Sequence, residues 1–145
     1  MAERAEFKEN SQAVQSHLTI LQSVIQRMAS NSASSKAWCI TLVSAILVIV
    51  ADKGKPQYAW IALIPTLLFL VLDAYYLGLE KGFRNAYSSF IRKLHGETLT
   101  ADDLFVVVPQ GGLFGLFVRS VFSFSVWPFY TTLLGMIYVA KTFVI

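Results

Sequence analysis

Residues 58–79 read YAWIALIPTLLFLVLDAYYLGL, and a single charge, Asp73, interrupts twenty-two otherwise uncharged positions. A second run, residues 120–140, reads SVFSFSVWPFYTTLLGMIYVA: twenty-one positions without a charge, bracketed by Arg119 and Lys141. A helix rises about 1.5 Å per residue, so roughly 20 such residues cross a ~30 Å hydrocarbon layer. Residues 37–51, AWCITLVSAILVIVA, are fewer, but uncharged neighbours and a Lys36 that snorkels extend them. The expected architecture is an all-α membrane protein with three transmembrane helices.

In a chain of 145 residues three spans leave no room for a separate catalytic domain of ordinary size. The expected organisation is an amphipathic cytoplasmic helix over 1–36 and a transmembrane hairpin over 37–79. A cytoplasmic connection with its own amphipathic helix covers 80–119, and the third span with a short tail covers 120–145. The polar start lacks a signal-peptide core. Cys39 is the sole cysteine and reads as a small packing residue, so an internal disulfide and a cysteine-rich metal site are excluded.

The formal charge of +3 comes from basic residues whose placement matters more than their number. Nine Lys and Arg lie before the first span or in the second connection, against three in the 52–57 loop and the tail. The positive-inside rule then puts the N-terminus and residues 80–119 in the cytoplasm. Membrane lipid, not a nucleic-acid polymer, is the partner this charge pattern fits.

Phe7, Val14, Leu21 and Met28 recur every seven residues, and Leu18 and Ile25 complete two heptads of an apolar seam. The seam either holds copies of the chain together or docks on the chain's own cytoplasmic connection. Gly54 and Pro56 read as a tight turn between the first two spans. Pro65 and Pro128, inside spans two and three, read as kinks. Beyond the second span, Leu79, Phe83, Ala86, Tyr87, Phe90, Ile91 and Leu94 continue one helical face, with His95–Gly96 as its stop. Thr100 to Asp103 carries a capping-box pattern. Residues 104–108, LFVVV, suit a helix or a short strand, and residues 113–118 suit an interfacial lead-in to the third span.

Chemistry-bearing residues are few. Asp73 lies six residues, about 9 Å, inside the cytoplasmic end of span two, where ionisation is costly without a partner. It reads as an ion-interacting or switching site, or as half of a structural ion pair with Lys36, Arg84 or Arg119. Thr41 and Ser44 on span one, and Ser125 and Thr132 on span three, form hydroxyl faces that line a water path or pack helices. His17 and His95 are isolated, Asp102–Asp103 suits a helix start, and PQGG at 109–112 lacks the Lys-Ser/Thr ending of a phosphate loop. No enzyme, cofactor or metal is expected.

Two segments carry a resemblance: Arg27-Met28-x-x-Asn31-Ser32 followed by Lys36-x-Trp38-x-Ile40-Thr41, and Leu72-Asp73-Ala74-Tyr75-Tyr76-Leu77-x-x-Glu80-x-x-Phe83-Arg84. They resemble a group of small bacterial multi-span membrane proteins found in antiphage defence islands, sometimes beside TIR-domain proteins. The likeness covers residues 15–90. It implies a homo-oligomeric inner-membrane effector, with its N-terminus cytoplasmic. A TIR-domain protein or a nucleotide signal would trigger it to permeabilise or depolarise the membrane. The alternative is a non-conducting adaptor that scaffolds a cytoplasmic defence partner.

Overall fold

A computed structural model describes residues 7–143. Four α-helices account for most of them: α1 (Gln12–Lys53), α2 (Leu63–His95), α3 (Leu113–Val121) and α4 (Trp127–Phe143). A 3-10 segment, Pro56–Ala62, leads into α2, and another, Ala101–Asp103, follows it. No strand occurs among the described residues; 104–110 run as extended and turn backbone.

No Gly or Pro falls between residues 12 and 53, so nothing interrupts α1 over 42 residues. The helix passes position 36/37 unbroken, so the amphipathic segment continues directly into the apolar run at 37–51. Gly54, in the left-handed conformation at φ 58°, ends it and turns the chain. α2 returns alongside α1 and passes the 79/80 boundary without a break as far as the expected stop at His95–Gly96.

The two long helices bear on the membrane reading directly. Each is long and apolar enough to cross a bilayer. Only 22% and 28% of their most apolar windows are buried inside the protein, whereas the core helix of a soluble protein would be mostly covered. Trp38, Val48 and Ile49 on α1, and Ile64, Leu67, Leu68 and Val71 on α2, all face outward. Such a surface is stable in lipid and unfavourable in water.

The expectation of a third helix over residues 120–140 is corrected. That run divides into the end of α3, a turn at 122–126, and α4. Pro128 is the physical reason. Inside a helix it would remove a hydrogen bond and push the residue before it out of helical geometry. In the first turn of α4 its missing N–H costs nothing. The Ser123 carbonyl accepts from Val126 N (2.9 Å) and Trp127 N (3.1 Å), which starts the new helix. Pro65 likewise falls in the first turn of α2, at the change from 3-10 to α, so neither proline kinks a helix interior.

From the tip at Gly96 the chain climbs back along the α1/α2 pair as a third column: extended strap, α3, turn, α4. Its base is seated at Gly78 and Gly82 of α2, where missing side chains let the strap and α3 approach. Higher up, Val126, Tyr130, Leu133, Ile137 and Ala140 lie three or four residues apart and form one buried stripe. They pack with Cys39, Val43 and Val50 of α1 and with Ala59 and Ala62. At the top the Lys141 ammonium sits 4.7 Å from the Trp60 ring centroid, tying the end of α4 to the 3-10 segment.

The apolar seam closes within the chain. Val14 packs with Phe90 and Leu94, joined by Phe7 and Leu18; Leu21 packs with Phe83 and Ala86, joined by Ile25 and Met28. Val14 and Leu21 are fully covered within one chain, as the docking alternative expects, while Phe7, Leu18, Ile25 and Met28 stay partly exposed. The apolar face of α2 that the sequence continues past Leu79 supplies the other half.

Candidate functional site

Where α1 and α2 cross, the small side chains of Ser32, Ser35 and Ala74 are buried and allow the helices to meet closely. Asp73 projects into this crossing with no solvent exposure. Lys36 reaches it from the next turn of α1: Nζ donates to Oδ1 at 2.8 Å and stands 2.6 Å from Oδ2. Ser32 Oγ donates a short hydrogen bond to Oδ1 and also lies 3.4 Å from the Lys36 ammonium. Oδ2 has no hydrogen-bond partner of its own and is stabilised by the ion pair with Lys36. One acid, one base and one hydroxyl thus form a closed triad from positions 32, 36 and 73.

The third column completes the site. The Tyr130 hydroxyl donates to the Phe69 carbonyl at 2.9 Å and faces Asp73 as well. Thr66, fully buried one turn above Phe69, returns its hydroxyl to the Ala62 carbonyl at 2.7 Å. Lys36 lies seventeen residues, about 25 Å, below the Lys53 end of α1. In a ~30 Å apolar layer whose other face lay at Lys53, that depth would put the triad just inside the opposite face. Charges survive there only when paired. The arrangement can hold α1, α2 and α4 in one register. Loss of either charge, or separation of the helices, leaves a buried ion without its counterion.

Of the three bases expected near Asp73, only Lys36 reaches it. Arg84 pairs instead with Glu80 on its own helix, Nε to Oε1 2.8 Å. Arg119 is exposed on α3, with no acid within ion-pair distance among the described residues. Thr41 and Thr132 are exposed and donate to Ala37 and Pro128 carbonyls of their own helices at 2.8 Å. Ser44 is exposed too, and Ser125 lies in the break, so it shares no helical face with Thr132. None of the four lines a passage inside one chain. No group of three metal-ligating side chains occurs among the described residues. An open groove of about 540 Å³ lies beside Gln22, Gln26, Arg84, Tyr87 and Ser88, and its one guanidinium is paired with Glu80.

One residue that sequence reasoning treated as isolated is held in a built environment. His17 is 1% exposed between α1 and α2, its ring 4.1 Å from that of Phe90 at 30°. Its Nδ1 accepts the Phe105 backbone N–H at 2.9 Å. The available signal was position: residue 17 falls three after Val14 and four before Leu21, on the apolar seam itself. Burial lowers its pKa below 6.5, against a smaller opposing pull from Asp103. Asp103 is held below the usual carboxylate range by Lys93 at 2.6 Å and by Thr100, whose capping box the sequence pattern anticipates. Compared with protein-family models, curated proteins and solved structures, the chain matches none of them.

Proposed function

We propose that this chain is an inner-membrane effector, homo-oligomeric when active, that permeabilises or depolarises the bilayer on a cytoplasmic signal. The observation that carries this reading is the buried Lys36–Asp73 pair between two outward-apolar helices. It is a costly feature that an inert anchor does not need. In this reading the third column crosses with the other two, and the excess of basic residues favours a cytoplasmic side for the N-terminal segment and residues 80–119. With three crossings per chain, a conducting path has to form between several copies. The exposed small and hydroxyl residues of α1 and α4, Thr41, Ser44 and Thr132 among them, then meet across the copy boundary. The trigger is a TIR-domain partner or a nucleotide signal received by the cytoplasmic part. The resemblance of residues 15–90 to defence-island membrane proteins supports the setting, and the scarcity of reactive groups supports a physical rather than chemical output.

The test is membrane potential in cells expressing the chain, followed with a voltage-sensitive dye. Depolarisation and growth arrest are expected, and both are lost in Asp73→Ala while the variant still inserts. An unchanged potential, even with the neighbouring genes and phage present, would overturn the reading and leave the scaffold alternative.

A further inference from the structure

Residues 99–110 lie as a strap in the groove between α1 and α2. Leu99 and Leu104 are seated beside Val14, Phe90 and Leu94, and Val107 beside Leu21, Phe83 and Ala86. Four polar contacts hold the strap down. Lys93 pairs with Asp103, Gln110 N–H donates to the Gly82 carbonyl, Asn85 donates to the Gln110 carbonyl, and Phe105 N–H donates to His17. The first rests on an acid that stays ionised, and the next two end on backbone carbonyls. Only the fourth has an acceptor, an imidazole nitrogen, that turns into a donor as the solution is acidified.

Phe105 is also the strained point of the strap. Its φ of 62° is left-handed, a conformation an aromatic residue keeps only while its surroundings hold it there. The contact holding it is the His17 bond, and with Nδ1 accepting, the ring's proton sits on Nε2. We propose that residues 99–110 are a proton-released strap, closed on neutral His17 and freed when His17 gains a proton at Nδ1. The Nδ1–H then opposes the Phe105 N–H, and the bond between them is lost. Release uncovers the Val14, Leu21 and Phe90 side of the groove and frees the apolar 104–108 segment.

The charged groups facing His17 are Lys93 from α2 and Asp102 and Asp103 from the 3-10 turn. Lys93 pairs with Asp103, and the pull that Asp103 still exerts favours the proton but is outweighed by burial. The closed state therefore binds fewer protons than the open one. Closure is at full strength above 6.5, the ordinary imidazole value, and weakens as pH falls from there to the lowered value in the closed state. Within that window opening increases by up to about tenfold per pH unit. A chain that admits protons would acidify the side on which the strap lies. That link rests on the function proposed above, whereas the latch does not.

Hydrogen exchange of the full chain in lipid nanodiscs, corrected for intrinsic rates, tests it without reference to conductance. Between about pH 7.5 and about pH 5 the amides of Phe105 and Gln110 should lose about tenfold in protection while α1 and α2 hold theirs. His17→Asn, whose Oδ1 accepts in place of Nδ1 and takes no proton, should keep the strap protected at both values. His17→Phe should leave it open at both, and His95→Gln should behave as the parent chain does. Equal protection of the parent at both pH values would overturn the proposal. So would the same acid loss in His17→Asn, or its disappearance in His95→Gln, which would assign the effect to the His95–Glu9 contact.

Discussion

Asp73 shows how a single carboxylate organises its surroundings when water cannot reach it. Its two oxygens draw Lys36 and Ser32 from one helix, and Tyr130 faces it from a third. Asp73→Ala removes the counterion of Lys36, and we expect a loss of about 3 kcal/mol, the lower end for a broken buried pair because Lys36 is 20% exposed. Replacing both partners, Lys36→Met with Asp73→Leu, should recover most of it, since no charge then remains unpaired. Thermal unfolding in detergent, followed by circular dichroism, checks both. Asp52→Ala, whose contact with Lys53 is 3.9 Å and fully at the surface, should change nothing measurable. A double variant as unstable as the single one would show that the site matters through shape and not charge.

Among the elements, the third column depends most on single small residues. A Cβ placed on Gly82 would stand 2.8 Å from Pro109 Cβ, closer than side chains approach. The strap would have to shift and surrender the Gln110 N–H to Gly82 carbonyl bond. We expect Gly82→Ala to cost about 1–3 kcal/mol, and Gly115→Ala, with open space around it, to be neutral or stabilising by about 0.5–1 kcal/mol. Melting the two variants beside the parent decides it; equal melting points would mean that the close approach at Gly82 is not needed. The break before α4 follows equally from local chemistry. A proline in the run requires a helix start near it, and Ser123 supplies the carbonyl that satisfies the new N-terminus.

At the scale of the whole molecule, three columns run the same height, and two meet the length and composition of a membrane span as continuous helices. α4, with 17 residues, is about 25 Å long, so under the proposed function, in which the third column also crosses, the turn at 122–126 would lie in the interfacial layer. The exposed aromatics Phe114, Phe122 and Phe124 suit that layer. Single cysteines in a Cys39→Ser background test this arrangement with a membrane-impermeant maleimide. Lys55→Cys and Thr142→Cys should react in intact spheroplasts and Glu97→Cys only after lysis. Labelling of Thr142→Cys only after lysis would place both ends of the third column on one side.

Local chemistry was enough to read the two long helices, the Gly54 turn, the stop at Gly96 and the capping box at Thr100. These depend on composition, period and local backbone chemistry, which neighbouring residues dictate. The sequence by itself also singled out Asp73, because an acid in an apolar run is expensive wherever the chain folds. The tertiary structure alone decided which base answers it. Lys36, Arg84 and Arg119 were all plausible in depth, and only the α1/α2 crossing angle and the small residues at 32, 35 and 74 bring Lys36 within reach. The same holds for the seam and for His17. A heptad stripe carries no information on whether its partner is a second copy or its own chain. A histidine on that stripe gains a role only when residues eighty-eight positions away return to meet it. Such contacts are set by the summed packing of three columns, a quantity no local window of residues contains.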